Sequence, residues 1–140
     1  MLTSASLAER LRVAVGRLAR KLRQQSLGGL TPSQSSVLSS LDTRGPMSMS
    51  RLAEVEAISR PSTTGIVSRL IEGGLVVRAD NPEDGRSAIV TITQSGSSLL
   101  QQRRQERNAF LARAVESLTD DEKLVLARAA ELIERITARG

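Results

Sequence analysis

Between residues 47 and 93 the apolar residues change period in a fixed order, and that order limits the fold more than any other feature of the chain. The stretch "MSMSRLAEVEAIS" reads as a short helix, with Ser48 as its N-cap and Leu52, Ala53 and Val55 pointing inward. A gap of about three residues near Ile58 and Ser59 follows, and "SRPSTTGIVSRLIEGGLV" starts another helix. Ser59 or Arg60 caps it, Pro61 lies in its first turn, and Ile66, Val67, Leu70 and Ile71 form its apolar stripe. Gly73-Gly74 ends it. Two short helices at this separation have the layout of a helix-turn-helix. Periodicity alone leaves a generic helical hairpin equally open.

The period then becomes that of strands. Leu75-Val76-Val77 and Ala88-Ile89-Val90-Thr91-Ile92 are short and β-branched. The tip of the loop between them holds the acids Asp80, Glu83 and Asp84, with Pro82, Gly85 and one cation, Arg86. Asn-Gly or Asp-Gly alone would close a tight hairpin. The extra length implies a tip that touches something. Two strands with a long polar tip, directly after a helix-turn-helix, make a winged helix. This order is far more specific than any one of its parts.

Helices flank this head. Residues 3–25 repeat Leu7, Leu11, Ala14, Leu18 and Leu22 at spacings of three and four, and Gly28-Gly29 ends the run. "LTPSQSSVLSSLDTRG" opens with Thr31 as N-cap, Pro32 after it and Gln34 three residues on, a capping box. Val37, Leu38 and Leu41 are its buried face. Thr93 caps a long helix, and Thr119 with Glu122 makes a second capping box for the last one. The expected fold is mainly α with a small β-wing. Its parts are an N-terminal helix over 1–28, a winged head over 30–93 and C-terminal helices over 94–140. The terminal helices are amphipathic and the head is small, so a partner chain is the economical cover for their apolar faces. A two-fold homodimer is the commonest such assembly.

Composition removes most other classes of function. The chain has no Cys and no His, so thiol nucleophiles, disulfides and zinc sites built on those residues are excluded. The usual general base is missing. No cofactor is implied, and no paired-carboxylate motif points to an enzyme. No signal peptide and no membrane span is expected, which points to the cytoplasm. The net charge is +5; residues 1–30 hold six basic residues and one acid, whereas residues 31–93 hold six Arg and seven acids. A basic segment fits nucleic acid, a membrane surface or simply a solvated helix face.

At this point the residues resemble a family. Leu30, Thr31 and Gln34; Leu52 and Ala53; Thr64, Val67, Arg69 and Leu70; Gly74, Leu75, Val76 and Arg78; Asp84 and Arg86; and Ile92, Thr93 and Gly96 match the pattern of the MarR family, the multiple-antibiotic-resistance type of bacterial transcription regulator. The match is close over about residues 30–100 and rests on layout alone in the flanks. It implies a dimer joined through its terminal helices, two winged heads on double-stranded DNA, and repression relieved by a small anionic or phenolic effector. The chain departs from the pattern at Gly85, where many members have an Arg, and at Gly65 inside the recognition helix. The sensing cysteine of the peroxide-responsive branch is impossible here.

The residues expected to touch DNA follow from these placements. Arg60, Ser62, Thr63, Thr64 and Ser68 are assigned to the exposed side of the recognition helix. Arg can read guanine and Thr methyls can touch thymine methyls, while hydroxyls near the helix start can bind phosphate. Arg69 is open between a phosphate contact and an internal ion pair. Ser48 and Ser50 are expected to reach the backbone from the preceding helix, with a capping role the stronger reading for Ser48. Arg86 is expected in a minor groove, whose negative potential attracts Arg, with Asp84 orienting it. Arg17, Arg20, Lys21, Arg23 and Arg44 would add to the positive field. An effector pocket has no clear signature; Arg17, Gln34 and Arg104 are weak candidates. The competing reading is a winged-helix module that binds protein and not specific DNA.

Overall fold

The structure is a computed structural model and describes residues 1–25, 29–83 and 87–139. Its elements run α1 (Ser4–Gln24), α2 (Pro32–Arg44), β1 (Met47–Ser48), α3 (Met49–Glu56), α4 (Arg60–Glu72), β2 (Val76–Ala79), β3 (Ile89–Ile92), α5 (Gln94–Glu116) and α6 (Asp120–Ala138). They form two compact units, one of residues 26–105 and the other of residues 1–25 with 106–140.

The first unit is the winged head. Its core is aliphatic: Val37, Leu38 and Leu41 of α2 meet Leu52 of α3, Val67 and Leu70 of α4, and Val76 and Val90 of the sheet. Each of these is at most 1% exposed. A Leu buried this fully contributes about 1.5–3 kcal/mol, so packing among α2, α3, α4 and the sheet fixes where α4 sits. Polar ties add direction. The Ser36 and Ser40 hydroxyls of α2 donate to the two carboxylate oxygens of Glu56 at the end of α3, and Ser97 of α5 donates to Asp42 of α2.

The sheet has three antiparallel strands in the order β1-β3-β2. Met47 pairs with Val90 and Ser48 with Ile89 on one side; Val76 pairs with Ile92 through to Ala79 with Ile89 on the other. The two-residue β1 was not foreseen from the sequence. The other strands are shifted by about a residue from their expected bounds, for a physical reason. Leu75 closes α4, its N–H donating to the Leu70 carbonyl while Gly74, at φ 72°, takes the left-handed turn. Leu75 is therefore spent on the helix end, and the ladder begins at Val76.

Its carbonyl has another use. It accepts from Thr93 N at 3.0 Å, while the Thr93 hydroxyl donates to the Gly74 carbonyl at 2.7 Å and accepts from Gly96 N at 3.1 Å. Thr93 thus caps α5 and fastens it to the end of α4 at once. Gly96 makes the approach possible, because a Cβ there would lie 2.3 Å from the Leu75 carbonyl oxygen.

In the second unit, neither α1 nor α6 contains a buried residue. Leu7, Leu11, Val15 and Leu18 of α1 and Leu124, Val125, Leu126, Leu132 and Ile136 of α6 are large, apolar and exposed. Their helices are well terminated, by the Thr3–Ser6 and Thr119–Glu122 capping boxes. The sequence reading had no cap for α1, and placed its end at glycines of which Gly28 lies outside the described residues; the helix ends at Gln24. Among the described residues, no helix is long and apolar enough to cross a membrane.

Candidate nucleic-acid interface

α3 and α4 are joined through Ala57, Ile58 and Ser59, the spacing expected of a helix-turn-helix. Ala57 adopts φ 56°, ψ 43°, a left-handed conformation, and its N–H bonds back to the Ala53 and Glu54 carbonyls. That single residue turns the chain. Ser59 then caps α4, accepting from Ser62 N at 3.2 Å and donating to the Ser62 hydroxyl.

α4 divides cleanly. Thr63, Val67 and Leu70, spaced four and three apart, are buried, and Ile66 packs beside them. Arg60, Ser62, Thr64, Gly65, Ser68 and Arg69 are exposed. Pro61, Gly65 and Ser68 lie one above another along the middle of that exposed side. From Pro61 to Ser68 the outermost ridge of the helix therefore carries no long side chain, and the exposed Glu72 continues it at the C-terminal end.

Thr63 corrects the sequence reading. It was assigned to the exposed side, yet it is 0% exposed and its hydroxyl donates to the Ser59 carbonyl at 2.9 Å. The hydroxyl is satisfied within the helix, so the methyl can join the core. Its spacing to Val67 and Leu70 carried the signal; its polar name concealed it. Gln34 is buried, and its Oε1 accepts from Thr31 N to complete the expected capping box of α2.

The remaining candidates are distributed as follows. Thr64 is exposed, its hydroxyl donating to the Arg60 carbonyl. Ser48 caps α3 by accepting from Arg51 N at 3.1 Å. Ser50, in the first turn of α3, accepts a hydrogen bond from Arg60 Nη1 at 2.6 Å. Nothing local in the sequence pairs these two residues, and their link was missed. Arg69 is exposed and makes no ion pair among the described residues. Arg17 and Arg104 are exposed on α1 and α5. Asp84 and Arg86 lie outside the described residues. At the start of the same loop, the Asn81 side-chain oxygen accepts from Glu83 N at 3.1 Å and forms a turn.

The model of the MarR family matches residues 30–88, from the cap of α2 to the end of the wing loop. The uncharacterized HTH-type transcriptional regulator ML2140 of Mycobacterium leprae is 36% identical over 132 residues, spanning 94% of this chain and 92% of that protein. The chain belongs to the MarR family. A further relative, the HTH-type transcriptional repressor MdtR of Bacillus subtilis, is 32% identical and aligns over 76% of this chain and 74% of its own. Among solved structures, a transcriptional regulator protein from Pseudomonas aeruginosa superposes with a TM-score of 0.85 at 30% identity, covering 97% of this chain and 98% of that one. As a MarR-family winged helix, the protein is a DNA-binding transcription regulator, and α4 is the second helix of its helix-turn-helix.

Proposed function

We propose that this MarR-family regulator is a repressor that binds a palindromic operator as a homodimer and leaves it when a small effector binds. The observation that carries the reading is the division of α4: Val67 and Leu70 anchor it, while Arg60, Ser62, Thr64, Ser68 and Arg69 face solvent with no bulky ridge between them. In a major groove, Arg60 reads a guanine edge and Thr64 offers a methyl to thymine. Arg69 and the hydroxyls of Ser62 and Ser68 serve the backbone. Arg86, oriented by Asp84, enters the flanking minor groove. The exposed apolar sides of α1 and α6 are covered in the dimer, which sets two recognition helices roughly 34–36 Å apart for successive major grooves.

The effector is small and anionic or phenolic, as the family resemblance implies, and Arg17, Gln34 or Arg104 is the candidate group to meet it. It releases DNA only through a difference in affinity between the DNA-competent and incompetent states. The setting is the bacterial cytoplasm at the nucleoid, and the protein acts by binding and not by catalysis.

The test is a salt series of binding to the gene's own upstream DNA, with Arg86→Ala beside the wild type. Tight, salt-steep binding to a palindromic site, weakened by about 1–3 kcal/mol in the variant, supports the reading. Wild-type affinity in the variant removes Arg86 from the interface. Binding no stronger than to random duplex, at any salt, argues against the gene's own operator.

A further inference from the structure

Arg60 and Ser50 are ten residues apart on consecutive helices, yet the Arg60 guanidinium donates to the Ser50 hydroxyl at 2.6 Å. The fold does not need this bond. Packing of Leu52 against Val67 and Leu70 already holds α3 to α4, and Ala57 sets the turn between them. What the bond changes is the freedom of the arginine. An exposed Arg at a helix start samples many rotamers, and ordering it on DNA has an entropic cost. Ser50 lies on a fixed platform: Ser48 caps the same helix turn, and Met49 N–H donates to the Ala88 carbonyl of the wing segment. A hydrogen bond to that platform orders the arginine before DNA arrives.

The bond leaves the guanidinium able to read a base. It has five N–H donors, and one is used. The edge formed by Nε and Nη2 remains for guanine O6 and N7. Among the described residues no carboxylate pairs with Arg60, so its charge is not cancelled. A neutral hydroxyl positions the cation without neutralising it, which an Asp or Glu in that place could not do.

We infer that Ser50 is a positioning residue for sequence recognition: it aims the free edge of Arg60 at one base pair of each half-site and makes no essential DNA contact itself. The inference rests on the placement of α4 in the major groove. A site selected from random duplex DNA with the full-length protein supplies the probe. Dissociation constants are then measured for that site and for each of its single-base-pair variants, at fixed and varied salt, for wild type, Ser50→Ala, Ser50→Thr, Arg60→Ala and the double variant.

Ser50→Ala is expected to lower discrimination at a single base pair per half-site about 3- to 10-fold, the worth of immobilising one long side chain. The salt slope stays unchanged, Ser50→Thr restores discrimination, and the Ser50 change has no further effect once Arg60 is Ala. A uniform loss of affinity on all sequences with a shallower salt slope would show a direct phosphate contact by Ser50 and overturn the inference. Unchanged discrimination in Ser50→Ala overturns it as well. A wild-type protein that selects no sequence overturns both this inference and the recognition role of α4, whereas selection that depends on Arg60 but not Ser50 removes the inference alone.

Discussion

Adding one methyl group should have opposite effects at two glycines of the head. At Gly96 a Cβ meets the Leu75 carbonyl oxygen at 2.3 Å and Ile92 Cγ1 at 2.8 Å. Neither is the flexible end of a long side chain, so the start of α5 must lift. Overpacking of this kind costs about 1–3 kcal/mol. The lift also stretches the two bonds from Thr93 to Gly74 and Leu75, each worth about 1 kcal/mol. Against this, Ala gains about 1 kcal/mol over Gly in a helix. The net expectation for Gly96→Ala is a loss of about 3 kcal/mol, a large part of the roughly 5–15 kcal/mol that holds a domain. At Gly65 a Cβ meets nothing within 4 Å, so Gly65→Ala should gain about 0.5–1 kcal/mol. The assay is urea unfolding followed by far-ultraviolet circular dichroism, since the chain has no Trp or Tyr to report by fluorescence. Protein concentration is held constant, because association shifts apparent stability. If Gly96→Ala proves as stable as the wild type, α5 is not seated on Leu75 and the reasoning fails.

The same Gly65→Ala protein should bind its operator more weakly while being more stable, because the methyl stands on the ridge between Pro61 and Ser68; equal or tighter binding would place that ridge away from DNA. Thr63→Val should cost about 0.5–1.5 kcal/mol of stability through the lost bond to Ser59 and leave operator affinity unchanged. A tenfold fall in its affinity would return Thr63 to the DNA face. Leu18→Glu sets a charge on the exposed apolar side of α1, and sedimentation should show monomers; a variant that still sediments as a dimer moves the interface elsewhere. Arg69→Ala should reduce the salt slope of binding by about one without changing sequence preference, as for a phosphate contact.

The sequence was most legible where periodicity and capping chemistry agreed. The Thr31–Gln34 and Thr119–Glu122 boxes and the Ser48 and Ser59 caps all have local causes, and the structure has each of them. Of the expected α4 stripe, Val67 and Leu70 are buried and Ile66 packs beside them, but Ile71 is 39% exposed. Two residues are too few for β1 to show alternation, so it was invisible. The Thr3–Ser6 box escaped because Ser stands where Glu or Gln is the usual signal. Thr63 was misplaced by treating residue polarity as exposure. The Ser50–Arg60 bond depends on how two helices cross, which no local pattern encodes.

The position of β3 between β1 and β2 also bears on how the wing can change over evolutionary time. The outermost pair, Ala79 with Ile89, is held by ladders that continue inward to Val76 and Ile92, and β3 is braced on its far side by Met47 and Ser48. Register is thus fixed below the loop, by residues that do not belong to it. Lengthening a loop adds only about 0.6 kcal/mol for each doubling of its length. Insertions, deletions or wholesale replacement between residues 80 and 88 can therefore leave every strand pair in place. The wing tip is thus an exchangeable cassette on a clasp that keeps its own register, and it can be recast without rebuilding the head.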